Sequence, residues 1–420
     1  MKIKYEIKYS VELNDCKIDY LVEVFKYLVL SFLEEFIKGA LVCFGEELMK
    51  KKRKSFICTR CGNRGEFIRK SHNAKMTKVM TIFGEVRLPQ LQVQCKGCGK
   101  KMFITRFILG LERYALMSVI TARIIGLVGS LCSFRVSEKI SELFGVKFSR
   151  MLVWRCVRHV GSKINFDVDA QERNIGEADG TGIPIKGIKK RGLELKVFVQ
   201  RKFSGGVRVA GVTIGKYNSE WEKLFAPLVE SLKSFKRFLL ITDGDTNIFK
   251  GLRGVTVMLQ RCLWHIPHQL KHSLWTDGIK RKSDLYWEIM GRIFGIVSLR
   301  PFLEESEIAA LLKEKKKDLD KLIDFCEAHG CSSTVSYLKN AKANMFTSLE
   351  KRLNGKTTSF VERVMRTVNM RINVGKWTRE GALNAVKIRL AHYYNDWIPD
   401  PRKIKHDTVA FKYNSKFRAA

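Results

Sequence analysis

Two cysteine pairs, Cys58-x-x-Cys61 and Cys95-x-x-Cys98, constrain the N-terminal part of this chain more than any other feature. They stand 33 residues apart, and each is followed by a glycine, Gly62 and Gly99. A Cys-x-x-Cys turn puts two thiolates on one side of a knuckle, and glycine accepts the positive φ that such turns need. Two knuckles supply four sulfurs in a tetrahedron, the donor set of structural Zn²⁺. Four protein ligands close such a site, so the metal is expected to hold a zinc ribbon over residues 55–105 and not to react. A redox pair or unmetallated thiols is the competing reading. Cys16, Cys43, Cys132, Cys156, Cys326 and Cys331 show no ligand spacing and read as small buried hydrophobes.

Charge narrows the partner. Lys and Arg number 77 against 42 Asp and Glu, a formal charge of +35 over 420 residues. An excess of that size points to a polyphosphate, because each phosphate neutralised releases condensed counterions. At 45% hydrophobic and 28% charged, the chain reads as globular, with room for two to four domains. The start carries charge throughout and has no apolar signal core, and Tyr20 to Phe44 is interrupted by Glu23, Lys26, Glu34, Glu35 and Lys38. That pattern predicts an amphipathic helix, no membrane partner and a cytoplasmic protein. In a reducing cytoplasm paired cysteines bind metal more often than they form disulfides.

The patterning divides the chain further. Residues 1–54 read as a strand, a long amphipathic helix and a basic linker, Lys50 to Lys54. Within the ribbon, a hairpin turn is expected at Phe83-Gly84-Glu85. Residues 106–165 are helical. There Ile140, Leu143 and Phe144 share a face, Gly145 could end one helix, and Ser149 could cap a second carrying Leu152, Trp154, Val157 and Arg158. This fits a helix-turn-helix, though ordinary helix packing gives similar patterns. Residues 174–277 alternate strand signals with one helix, for which Ser219 is the expected N-cap. Residues 278–350 are helical and Lys-rich, and 351–420 hold further helices.

Three acids stand out by context. Asp179 lies in the strand-like "GEADGTGIP", Asp243 ends the apolar run "FLLITDGD", and Glu362 begins the helix "TTSFVERVMRTVNMRI". Strand ends and a helix start can converge in an α/β sheet, and phosphoryl transfer needs carboxylates that hold two divalent ions roughly 3.5–4 Å apart. Each acid also has a bland reading. An Asp-Gly pair is often only a turn, and Ser359-x-x-Glu362 fits a capping box. Glu177 and Asp245 each stand two positions from a chosen aspartate and are the second choices. Glu362, Arg366, Asn369 and Asn373 recur at near-helical spacing, with Arg363 and Arg371 beside them, so a basic face could adjoin the acids.

These residues resemble a known family. "ITDGDTNIFKGL" running into "VTVMLQRCLWHIPHQLKH", with Cys262 and His265 at a Cys-x-x-His junction, is similar to mutator-like prokaryotic insertion-sequence transposases of the RNase H-like DDE superfamily. The strand of Asp179, the helix of Glu362 and the cysteine-pair segment with "TIFGEVRLPQ" resemble theirs as well. The likeness implies an α/β RNase H-like catalytic domain with a helical insertion, for which the 118 residues between Asp243 and Glu362 leave room. It implies Asp179, Asp243 and Glu362 as the catalytic triad, holding two Mg²⁺ or Mn²⁺ ions. The implied partners are double-stranded DNA, as element ends and target, and further copies of the chain in a synaptic complex. Cys262 and His265 are taken as a local structural or DNA-handling feature, and His265, His268 and His272 as one polar, DNA-facing side of a helix. A catalytically silent or domesticated sequence-specific DNA-binding regulator and an RNase H-like nuclease that cuts without joining are the alternatives.

Overall fold

A 33-residue helix, α1 (Ile18–Lys50), leads the N-terminal unit. Its Leu30, Leu33, Ile37 and Leu41 recur at spacings of three and four, and so share one face. That face packs on Val79, Val86, Leu88, Leu91, Val93 and Ile104. Those partners come from β1 (Phe67–Ser71), β2 (Met76–Thr81), β3 (Gly84–Pro89), β4 (Gln92–Cys95) and β5 (Lys101–Phe103) and the chain around them. β1, β4 and β5 form a three-stranded antiparallel sheet, and β2 with β3 a hairpin. The hairpin turn is Ile82-Phe83, one residue earlier than its sequence suggests. Thr81 explains the shift: its hydroxyl donates to the Gly84 carbonyl at 2.8 Å and accepts from the Phe83 N–H at 3.2 Å, which closes the loop in two residues.

This computed structural model describes residues 17–50, 57–64, 67–71, 76–109, 111, 117–143, 146–188, 193–217, 219–299, 305–352 and 359–397. They fall into two units, Met1–Val160 and Gly161–Ala420. The strand expected before α1 and most of the Lys50 to Lys54 run lie outside the described residues.

Four helices follow β5: α2 (Thr105–Ile108), α3 (Val119–Leu131), α4 (Phe134–Leu143) and α5 (Arg150–Ser162). Ser118 caps α3 by accepting from the Thr121 N–H at 3.1 Å. Ser149 does the same for the Leu152 N–H at the start of α5, at 3.3 Å. The inner face of α4 is only partly the expected apolar one: Ile140 is half-buried beside Ile125 and Val153. Ser137 and Ser141 are buried, and Leu143 is 79% exposed. Ser141 accepts from the Phe148 N–H at 3.1 Å, so a small hydroxyl ties α4 to the connection where an apolar contact was expected. Phe144 and Gly145 lie outside the described residues.

The second unit is built on one five-stranded sheet. Its strands are β6 (Ile175–Gly182), β7 (Leu193–Arg201), β8 (Val207–Lys216), β9 (Phe238–Thr242) and β10 (Val257–Arg261), in the order β10-β9-β6-β7-β8. β6, β7 and β8 are antiparallel neighbours, and β9 and β10 add in parallel on the other side of β6. β9 is an apolar run, and β7 and β8 are buried along nearly all of their length, as strands covered on both faces are. On one face Ala178, Phe198, Ala210, Phe238 and Leu240 meet Trp221, Leu224, Phe225, Leu228 and Leu232. Each large side chain buried there contributes roughly 1.5–3 kcal/mol. The single helix expected here is broken into α6 (Glu222–Phe225), a 3₁₀ turn and α7 (Val229–Lys233). Pro227 lacks the N–H that a continuous helix needs, and Trp221, not Ser219, holds the N-cap position.

Helices α8 (His265–Thr276), α9 (Asp284–Val297), α10 (Glu305–Ala328), α11 (Ser332–Lys342) and α12 (Thr347–Glu350) share a core of their own around Leu270, Ile289, Leu322 and Leu338. Then α13 (Val361–Ile372) packs on β6 and β7, and α14 (Arg379–Tyr394) on β8. Among the described residues, no helix is long and apolar enough to cross a membrane.

Candidate functional site

The two cysteine knuckles are built alike. The Gly62 N–H donates to the Cys58 carbonyl at 3.0 Å and the Cys58 N–H to the Asn63 carbonyl at 2.9 Å. Gly99 and Cys95 repeat the pattern at 2.9 Å, with Lys100 in the place of Asn63. Gly62 and Gly99 have φ of 69° and 70°, the left-handed turn their sequence position requires. Cys58 Sγ stands 3.6 Å from Cys98 Sγ, and Cys61 Sγ 3.6 Å from Cys95 Sγ. All four sulfurs lie within 4.8 Å of one another. Sulfurs each 2.3 Å from a central zinc would stand about 3.8 Å apart, so the set fits Zn²⁺. The backbone N–H groups of Cys61 and Arg60 draw the Cys58 thiol down to about 6, toward the thiolate that a metal takes, while Cys61, against the pull of the Asn63 N–H, is pushed up to about 12 by the neighbouring sulfurs.

The second cluster assembles from four segments of the C-terminal unit. Asp179 lies in β6 opposite Val197 and accepts from the Gly180 N–H at 2.8 Å. Glu362 is the second residue of α13, and its Oε1 is 2.8 Å from Nε2 of His265, the first residue of α8. Ligand atoms of Asp179, His265 and Glu362 all lie within 4.8 Å of one another. Asp243 follows β9 and stands outside that trio. Its Oδ1 accepts from the Asp245 N–H at 3.0 Å and its Oδ2 from the Gln269 amide at 3.3 Å.

Electrostatics shows what this cluster takes up. Burial pushes the Asp179 carboxyl up to about 8, and the charges of Glu362 and Asp243 add to the rise against the relief from His265. His265 is pushed up to about 10. Burial opposes its charge, and contact with the Cys262 sulfur and the carboxylates of Glu362 and Asp179 outweighs burial. The His265 contact in turn holds Glu362 below the usual carboxylate range. Glu362 Oε1 and His265 Nδ1 are buried without a hydrogen-bond partner. Carboxylates crowded in a poorly solvated place are compatible with a bound cation, and in its absence His265 supplies the positive charge. The donor set, two carboxylates and one imidazole, is compatible with a divalent ion.

The second-choice acids have other work. Glu177 is fully buried, ion-paired with Arg201, and accepts from the Ser359 hydroxyl at 2.9 Å and from the N–H groups of Phe360 and, at 2.8 Å, Val361. It is the anion at the N-terminus of α13, where unpaired N–H groups and the helix dipole favour one. Glu362 therefore does not close a capping box with Ser359; it faces His265. Asp245 caps a 3₁₀ turn through the Asn247 N–H at 2.9 Å and accepts from the Trp221 indole at 2.9 Å. Between the two aspartates Gly244 has φ of 105°, and a Cβ there would meet the Arg261 guanidinium at 2.5 Å.

Around the cluster, Cys262 is fully buried, and its sulfur accepts from the Ser359 N–H at 3.2 Å. The three histidines do not act as one surface. His265 faces the carboxylates, His268 is exposed and stacks on Trp264 at 4.3 Å, and His272 is exposed. On α13, Asn369 accepts from the Thr181 hydroxyl at 3.2 Å. Arg363 and Arg366 are exposed, and Arg363 lies over the Phe360 ring. Arg371 is buried against Trp377 at 4.4 Å and does not join the basic face. Sequence reasoning missed Gln269 and Tyr337. The Tyr337 hydroxyl donates to Gln269 Oε1 at 3.1 Å. Gln269 stands four residues after His265, and helical spacing alone could have singled it out.

In the N-terminal unit, α5 exposes Met151, Trp154, Arg155, Arg158 and His159, with Arg158 over the Trp154 ring at 5.8 Å. Leu152 and Val157 turn inward. The exposed set is basic and aromatic, the composition that meets nucleic acid. Neither a protein-family model nor a curated protein matches the chain.

Proposed function

We propose that the protein is a DNA transposase of the three-carboxylate, RNase H-like type. One observation carries the reading: Asp179 and Glu362, far apart in sequence, come together from a central strand and a helix start, with Asp243 near enough for its charge to act on Asp179. The sheet supports it. An antiparallel β6-β7-β8 meander with β9 and β10 added in parallel beside β6 is the strand order expected of an RNase H-like core.

Asp179, Asp243 and Glu362 would hold two Mg²⁺ or Mn²⁺ ions. Such ions supply Lewis-acid charge and lower the pKa of an attacking water or 3′-hydroxyl. The chain's own groups do the rest. Gln269 and the Asp245 N–H fix the Asp243 carboxylate, Glu177 fixes the helix of Glu362, and Asn369 with Thr181 joins that helix to β6. Arg363 and Arg366 stand on the same helix, placed for phosphate contact. In each step one P–O bond forms as another breaks in line: first to water, leaving a 3′-hydroxyl, then to that hydroxyl, joining it to target DNA. The α5 face and the zinc knuckles belong to DNA binding in this reading. Pairing of two element ends requires at least two copies.

The test is cleavage and joining of labelled DNA carrying the element's own ends, with Mg²⁺ or Mn²⁺, in wild type and Asp243→Ala. Metal-dependent nicking and joining, lost in the variant while binding persists, supports the transposase. Binding without cleavage in either protein supports a regulator. Cleavage without joining supports a nuclease.

A further inference from the structure

From the placement of His265 we infer that it is itself a metal ligand through Nε2, so that Asp179, His265 and Glu362 form one mixed nitrogen–oxygen site that takes Mn²⁺ in preference to Mg²⁺. The use of that ion in DNA cleavage rests on the function proposed above; its binding does not.

The geometry is that of a coordination edge. Nε2 and Glu362 Oε1 stand 2.8 Å apart, yet Oε1 makes no aligned hydrogen bond. At this separation the two atoms can serve as neighbouring ligands of one ion once that ion displaces the imidazole proton. Neighbouring ligands of an octahedral ion, each at about 2.1 Å, stand about 3.0 Å apart. Asp179 completes a three-sided set with every ligand atom within 4.8 Å.

The ring is held for this. His265 opens α8 directly after β10, and its N–H donates to the Cys262 carbonyl at 3.0 Å. The Cys262 sulfur lies beside the ring, and Trp264 packs against it edge-on at 5.0 Å. These contacts fix the ring from its backbone and one side, while Nδ1, the nitrogen through which a ligating imidazole bonds a group behind it, has no hydrogen-bond partner. His268 and His272 do not share the arrangement; both are exposed. One imidazole in a carboxylate set shifts preference away from Mg²⁺, which takes oxygen and water, toward first-row transition ions, among which Mn²⁺ keeps the affinity for carboxylates and octahedral geometry that the other two ligands suit.

The measurement is pulsed electron paramagnetic resonance on the zinc-replete full chain titrated with Mn²⁺ alone, without DNA. Nitrogen hyperfine coupling to bound Mn²⁺ is expected in wild type and in His268→Ala, and absent in His265→Gln. Mn²⁺ affinity should fall at least about tenfold in His265→Gln, the loss seen when even a supporting residue of a metal site is removed. Bound Mn²⁺ without nitrogen coupling in wild type overturns the inference and leaves His265 as an ion-pair partner of Glu362. Failure to bind Mn²⁺, or coupling that survives in a folded His265→Gln, overturns it too. A protein that binds Mn²⁺ with nitrogen coupling but cuts no DNA overturns only the proposed function.

Discussion

Glu177 accepts a 2.8 Å hydrogen bond from the backbone N–H of Val361, 184 residues further along the chain. Val361 precedes Glu362, so a carboxylate on β6 sets the height and azimuth of the helix start that presents the third acid. Glu177→Ala would leave Arg201, only 12% exposed, without its anion. We expect a loss of about 3–5 kcal/mol in chemical denaturation. Glu177→Gln, which keeps an acceptor for α13, should cost less. Equal losses would refute the capping role.

The knuckles predict one zinc per chain. Metal analysis of the purified protein should find it, and Cys95→Ser should lose it. Chelation should expose four fast-reacting thiols, counted with a chromogenic disulfide. A fully reactive set before chelation would count against zinc.

Asp243 is oriented from outside the sheet, through Gln269 and then Tyr337. Gln269→Ala is expected to lower the rate of metal-dependent cleavage by about 10–100-fold, as removal of groups behind a metal ligand does. Tyr337→Phe should have a smaller effect in the same direction. Single-turnover assays at several metal concentrations separate weakened metal binding from a slower step.

Asp179 gives the pH dependence. Without metal the folded chain keeps this proton up to about pH 8, whereas an ordinary aspartate releases it near 3.8. The fold thus binds more protons than the unfolded chain between those values, and loses stability as pH rises through that window. Melting curves from pH 5 to 8 should show the loss in wild type and less of it in Asp179→Asn. Divalent metal displaces the proton, so its affinity should rise with pH over the same range.

On α5, Arg155→Ala and Arg158→Ala should weaken DNA binding uniformly across sequences. For every phosphate left unneutralised, the slope of log affinity against log salt should become shallower by about 0.9. An unchanged slope would place DNA elsewhere.

Much of this is legible in the sequence. The cysteine spacing announced four clustered sulfurs, the strand-like segment around Asp179 announced β6, and the apolar run before Asp243 announced β9, since buried strands and tight turns are local signals. The difference between Asp179 and Glu177 was not legible. Both lie on one strand face, and only the docking of α13 makes one a cap and leaves the other in the cluster. His265 was hidden likewise: a Cys-x-x-His junction does not say which way the ring points until Glu362 arrives. Pro227 was visible in the sequence, and the single-helix expectation gave it too little weight.

The hydrogen bond between Thr181 and Asn369 closes a separation of 188 residues. Contacts that distant form after local hairpins and helices. On a ribosome adding 5–20 residues per second, the strand of Asp179 emerges on the order of ten to forty seconds before the helix of Glu362. A nascent chain therefore carries the basic, aromatic face of α5 well before it carries an assembled acidic centre. Any chemistry at that centre waits for the end of synthesis, a delay set by chain order alone.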